Sequence, residues 1–89
     1  MYAIYRLIWA LEVSILLRVL DEPGIRYSSF YKYSGSRGAV NRAVRSLRHQ
    51  SLVYRDEEGG YRCTGLGEKT AEILGELRRT LKDMRPVRT

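Results

Sequence analysis

Hydrophobic side chains crowd the first twenty residues in a helical rather than an alternating rhythm. Ile4, Leu7, Ile8, Leu11 and Ile15 fall three and four apart, and Ala3, Ala10, Val13, Leu17 and Leu20 fill neighbouring positions. A helix over 2–20 is therefore apolar around most of its circumference, more than one packing face buries. Asp21, Glu22, Pro23 and Gly24 stop it, because proline cannot continue a helix and glycine accepts positive φ. A short extended piece over 25–27 follows. Ser28 then caps a short helix reaching about Tyr33, with Phe30 as its buried anchor and Lys32 outward. Ser34, Gly35 and Ser36 make a turn.

From Ser36 the rhythm is helical again over 36–50, with Val40, Ala43, Val44 and Leu47 on one stripe. Arg37, Asn41, Arg42, Arg45, Arg48 and His49 occupy the other faces. After Leu52 the pattern alternates: Val53, Tyr54, Arg55, then Asp56 through Gly60, then Tyr61, Arg62, Cys63. Two strands around an acidic, glycine-bearing tip predict a β-hairpin. Thr64 caps a last helix running to about Met84, with Ile73, Leu74, Leu77, Leu81 and Met84 on one side, a seam suited to a helix pair. Pro86 ends it. No internal repeat or low-complexity tract interrupts this order.

Charge changes the picture more than length does. The net charge is +6, but between Arg26 and Arg55 there is no Asp or Glu, while Arg26, Lys32, Arg37, Arg42, Arg45, Arg48 and Arg55 all fall inside. The basic excess belongs to the middle of the chain and points to a polyanionic partner. A transmembrane reading of the greasy N-terminus fails, since Arg6, Glu12 and Arg18 lie about 120° apart around the helix and each costs about 2.5–3.5 kcal/mol at mid-bilayer. A secretory signal fails too, because Glu12 interrupts the apolar run and no small-residue cleavage site follows.

Eighty-nine residues suffice for one domain: a helical extension over 1–12, a helix-turn-helix and hairpin over 13–64, a C-terminal helix over 65–84 and a tail over 85–89. A core this small needs reinforcement. With Cys63 the sole cysteine and His49 the sole histidine, neither a disulfide nor a metal supplies it, which leaves oligomerisation. The single thiol argues for a reducing, cytoplasmic setting. Cys63 itself reads as a small buried hydrophobe. The seven tyrosines are scattered over several elements and read as core or interface residues rather than a base-stacking platform.

Residues 13–74 resemble winged helix-turn-helix transcription regulators of the ArsR, MarR and PadR type. The run from Ser36 through Leu52 and Val53, the hairpin ending in Tyr61, Arg62, Cys63 and Thr64, and Thr64 with Gly67 opening the next helix carry the resemblance. It implies a mostly helical α+β winged fold with long N- and C-terminal helices, helix 36–50 in the major groove, a wing over the adjacent minor groove or backbone, and usually a homodimer, in a prokaryotic or archaeal cell. Asn41 and Gln50 are the only side-chain amides, a scarcity also seen in proteins from hot habitats.

The expected base-reading set is Arg37, Gly38, Asn41, Arg42 and Arg45. Arginine makes a forked contact to guanine and asparagine a paired contact to adenine, while Gly38 lets the backbone come close. Ser28, Lys32, Ser36, Arg48, Arg55 and Arg62 are assigned to phosphate. The wing departs from the resemblance: Asp56, Glu57 and Glu58 read as a solvated acidic tip that phosphate repels. Ile8, Trp9, Leu77, Leu81 and Met84 are the expected dimer contacts. No nucleophile–base pair, phosphate-binding glycine motif or cofactor signature points to an enzyme or a small-molecule ligand. Sequence-specific binding of double-stranded DNA is the leading expectation. A protein-interaction module and nonspecific DNA or RNA binding are its alternatives.

Overall fold

The structure is a computed structural model, described here for residues 9–83. Among these, four helical segments and a two-stranded antiparallel hairpin make a small α+β fold. They follow the order α1 (Leu11–Asp21), a 3₁₀ helix (Tyr27–Tyr33), α2 (Arg37–His49), β1 (Val53–Arg55), β2 (Tyr61–Cys63) and α3 (Gly65–Asp83). The hairpin register pairs Val53 with Cys63, Tyr54 with Arg62 and Arg55 with Tyr61.

The expected helix over 2–20 is corrected at its start. Ala10 is extended (φ −64°, ψ 155°), and α1 begins at Leu11, with the Ala10 carbonyl accepting from Val13 N–H (3.1 Å) and Ser14 N–H (3.2 Å). Residues 2–8 lie outside the described residues. Contacts from α3 meet this end of α1. The Arg78 guanidinium sits 4.5 Å from the Trp9 ring centroid and donates to Ser14 Oγ (2.9 Å), tying the α1 N-terminus to the last helix. Hydrophobic periodicity cannot reveal that contact, and alanine gives no capping signal.

At its other end α1 stops where expected, at Asp21, and Gly24 takes φ +89°. The extended piece predicted over 25–27 shrinks to one bridge, Ile25 to Tyr61, in which Tyr61 N–H donates to the Ile25 carbonyl (2.8 Å). Tyr27 already belongs to the 3₁₀ helix. Ser28 is therefore not a cap; Arg26 holds that position, without a side-chain bond. Three residues per turn stack positions i and i+3, which brings Tyr27 over Phe30, edge to face with ring centroids 5.9 Å apart.

One core joins the elements. Ile15, Leu16 and Val19 of α1 meet Val40, Val44 and Leu47 of α2, with Phe30, Tyr61 and Ala71 closing the sides. Fully burying side chains of this kind contributes about 1.5–3 kcal/mol each. Two close backbone approaches fix the hairpin against the helices. A Cβ on Gly60 would lie 2.3 Å from the Gly24 carbonyl oxygen, and one on Gly67 would lie 1.8 Å from that of Leu52. Among the described residues no helix is long and apolar enough to cross a membrane.

Candidate nucleic-acid interface

Helix α2 is held at both ends by its own sequence. Ser36 caps the N-terminus, its Oγ accepting from Ala39 N–H (3.1 Å), and Ser34 Oγ accepts from Ser36 N–H (3.1 Å). At the C-terminus Ser51 adopts φ +62°, while Ser51 N–H donates to the Arg48 carbonyl (3.0 Å) and Leu52 N–H to that of Leu47 (2.9 Å). These bonds and the buried Leu47 and Leu52 make a Schellman motif with serine at the left-handed position. Val40, Ala43, Val44 and Leu47 face the core as predicted, and Arg37, Gly38, Asn41, Arg42, Arg45, Arg48 and His49 are exposed.

The exposed face has two sides. Arg45, Arg48, His49 and Asn41 line an open groove of about 570 Å³, with Tyr27 and Tyr61 as its aromatic wall. On the other side Arg42 lies across Gly38, where an added Cβ would come within 3.3 Å of a guanidinium nitrogen, and shares a shallow groove with Glu12 and Ser46. Arg37 stacks on Tyr31 at 5.5 Å from the ring centroid. Ser28 and Lys32 are exposed on the 3₁₀ helix, with the Lys32 ammonium 6.0 Å from the Tyr33 ring centroid, and Ser36 spends its hydroxyl on the cap.

Intramolecular partners decide which cations remain available. Among the described residues the ion pairs are Arg18 with Glu22 (2.7 Å) and Arg62 with Asp56 (2.9 Å), so no arginine of α2 is ion-paired. Arg62, expected at phosphate, also clamps the hairpin through its Nε bond to Asp56. Asp56 does not belong to a solvated tip. Its Oδ1 accepts from Glu58 N–H (2.9 Å) and Gly60 N–H (2.8 Å), and its Oδ2 from Arg62 Nε. The Gly60 amide first and the Arg62 guanidinium second hold the Asp56 carboxyl below its ordinary range. Only Glu57 and Glu58 of the three acids are exposed. Arg26 Nη1 donates to the Glu58 carbonyl, closing the hairpin against the segment before the 3₁₀ helix, and Arg55 remains exposed beside Gly59.

Sequence reasoning missed Tyr27. Its hydroxyl donates to Asn41 Oδ1 across the groove, so the amide expected to read bases is already held by a second element. The tyrosine separation (i, i+3, i+4 with Phe30 and Tyr31) was a visible signal for a ring cluster but not for this bond. Tyr31, Tyr61 and Phe30 complete that cluster; Tyr33 and Tyr54 are exposed, and Tyr2 and Tyr5 lie outside the described residues.

Of the expected dimer residues, Ile8 and Met84 lie outside the described residues. Trp9 is 40% exposed and under Arg78, and Leu77 and Leu81 are half-buried. The most exposed apolar side chains of α3 are others, Leu66 (59%) and Ile73 (65%). Cys63 is half-buried, its Sγ 4.0 Å from the Leu16 carbonyl oxygen, and burial pushes its thiol up to about 11. Among the described residues no three His, Cys, Asp or Glu side chains gather as metal ligands would.

No protein-family model matches this chain, and neither a curated protein nor a solved structure matches it.

Proposed function

We propose that the chain is a winged helix-turn-helix protein that binds double-stranded DNA as a homodimer, with α2 entering the major groove, and acts in the cytoplasm as a transcriptional regulator. The observation that carries this reading is the segregation of unpaired positive charge. Arg62 is ion-paired to Asp56 and Arg26 donates to a hairpin carbonyl, whereas Arg42, Arg45 and Arg48 project from one capped helix without an ion pair. A helix of this size fits the major groove, and arginines along it reach phosphates and guanine edges. The hairpin contributes less. Its exposed tip carries Glu57 and Glu58, which phosphate repels, so Arg55 is the cation of the wing best placed to grip the backbone.

Dimerisation fits the apolar side chains left on α3, Leu66, Ile73 and Leu77, and would set two copies of α2 about one DNA turn apart, roughly 34 Å. Fluorescence anisotropy of labelled duplexes at two salt concentrations, with and without unlabelled competitor, tests the proposal. Binding that survives competitor at a preferred sequence supports it, while affinity that falls uniformly with salt for every duplex reduces it to charge attraction. Arg42→Ala weakens binding and lowers the salt slope by about one. Sedimentation that finds only monomer at micromolar concentration removes the dimer from the reading.

A further inference from the structure

Tyr27 and Asn41 are fourteen residues apart and belong to different elements, yet they share one hydrogen bond at the wall of the α2 groove. The tyrosine ring is not free to leave. It makes ring contacts with Phe30 (5.9 Å), Tyr31 (5.6 Å) and Tyr61 (5.9 Å), and Phe30 and Tyr61 are core residues. Burial, and then the neighbouring Tyr31 and Tyr61, raise the Tyr27 hydroxyl above its ordinary range, so it remains a protonated donor throughout neutral pH.

A free asparagine reads adenine with two atoms: Oδ1 accepts from the N6 amine while Nδ2 donates to N7. Here Oδ1 is turned toward Tyr27. The Asn41 side chain makes no other hydrogen bond among the described residues, and the residue is exposed. Oδ1 has given one of its two lone pairs to Tyr27, which fixes the direction of the amide, whereas both N–H donors of Nδ2 are unsatisfied. Guanine presents two acceptors, N7 and O6, on its major-groove edge, whereas adenine places a donor where O6 would be. We propose that Tyr27 is a specificity-determining residue: by holding Asn41 Oδ1 at the groove wall, it orients the amide so that Asn41 meets DNA through its Nδ2 donors and selects guanine over adenine. The inference rests on the DNA-binding reading above and replaces the paired adenine contact expected from the sequence.

The test is selection from a randomised duplex library with the full chain, its Asn41→Ala variant and its Tyr27→Phe variant, which keeps the ring and loses only the hydroxyl. Asn41→Ala identifies the contacted base pair as the position where preference flattens. At that position the unsubstituted chain is expected to favour guanine over adenine by about tenfold, the size of one good contact, and Tyr27→Phe to shift the choice toward adenine. Duplexes carrying 7-deazaguanine there should bind the unsubstituted chain more weakly, a readout independent of how well Tyr27→Phe folds. Adenine preferred by the unsubstituted chain, an unmoved preference in a folded Tyr27→Phe, or no position flattened by Asn41→Ala overturns the inference and leaves DNA binding standing. Failure of the unsubstituted chain to bind any duplex over competitor overturns both.

Discussion

Alanine at Gly67 and alanine at Gly65, two residues apart on one helix, should move stability in opposite directions. A Cβ at Gly67 would lie 1.8 Å from the Leu52 carbonyl oxygen and 2.8 Å from its carbon, where ordinary contact begins at 3.4 Å. The obstacle is backbone, so no rotamer change relieves it. Helix α3 must move away from the end of the α2 turn, breaking the bond from Thr64 N–H to the Leu52 carbonyl (3.0 Å). It also strains the Thr64 cap, whose Oγ1 accepts from Gly67 N–H (2.9 Å) and donates to the Ser51 carbonyl (2.6 Å). Each lost bond costs about 1 kcal/mol and overpacking about 1–3 kcal/mol. Alanine's better helix propensity returns about 1 kcal/mol, leaving a net loss of about 1–3 kcal/mol. A chain of this size holds about 4–13 kcal/mol in total. At about 4–8 °C per kcal/mol, the melting midpoint of Gly67→Ala falls by about 4–24 °C. Gly65 opens α3 with nothing within 4 Å of its would-be Cβ, so Gly65→Ala raises stability by up to about 1 kcal/mol. Thermal unfolding followed by circular dichroism decides it. A Gly67→Ala midpoint within a few degrees of the unsubstituted chain refutes the close approach and the docking of α3 against the α2 turn.

Three further outcomes follow from the same reading. Ser51 sits at φ +62°, a conformation costing a non-glycine residue about 1 kcal/mol, so Ser51→Gly stabilises by about 0.5–1 kcal/mol in denaturant titration and Ser51→Val destabilises by a similar amount or more. The native Asp56 carboxyl lies below its unfolded value, so its contribution is complete above the unfolded value and disappears as pH falls through the native one. An NMR titration should therefore find the Asp56 midpoint below that of an aspartate in the unfolded chain, and Arg62→Ala should move it upward. Cys63, with its thiol pushed up to about 11, reacts slowly with a disulfide reagent at pH 8 and quickly once the chain is unfolded; equal rates count against its burial beside Leu16.

Local chemistry was legible in the sequence at most places a local rule governed, the Ser28 cap being the exception. The α2 stripe, the Ser36 and Thr64 caps, the two strands and the helix stop at Asp21 all obey spacing or capping preferences within a few residues, and the structure places them there. What stayed illegible depends on contacts between distant segments. The start of α1 meets Arg78, 68 residues from Ala10, and the hairpin is seated with Gly60 against Gly24. Asp56 looked like one of three equivalent acids because its partners, two amides and Arg62, become its neighbours only after the turn closes.

The same distinction bears on the basic segment. Counted along the chain, every cation from Arg26 to Arg62 is an equal candidate for a polyanion. In the fold they divide by partner: Arg26 accepts the task of closing the hairpin, Arg62 neutralises Asp56, and Arg37 leans on Tyr31, while Arg42, Arg45 and Arg48 keep their charge for solvent or a ligand. A cation already neutralised by a carboxylate releases few counterions when it meets phosphate, so it adds little to the salt dependence of binding. The salt slope should therefore count the arginines of α2 and scarcely register Arg62. Arg62→Ala is then a stability variant, opening the hairpin clamp with the slope retained, and Arg45→Ala is an affinity variant, lowering the slope with the fold retained. If Arg62→Ala lowers the slope as much as Arg45→Ala does, the division of charge by internal partner is wrong and the hairpin meets the phosphates as fully as α2 does.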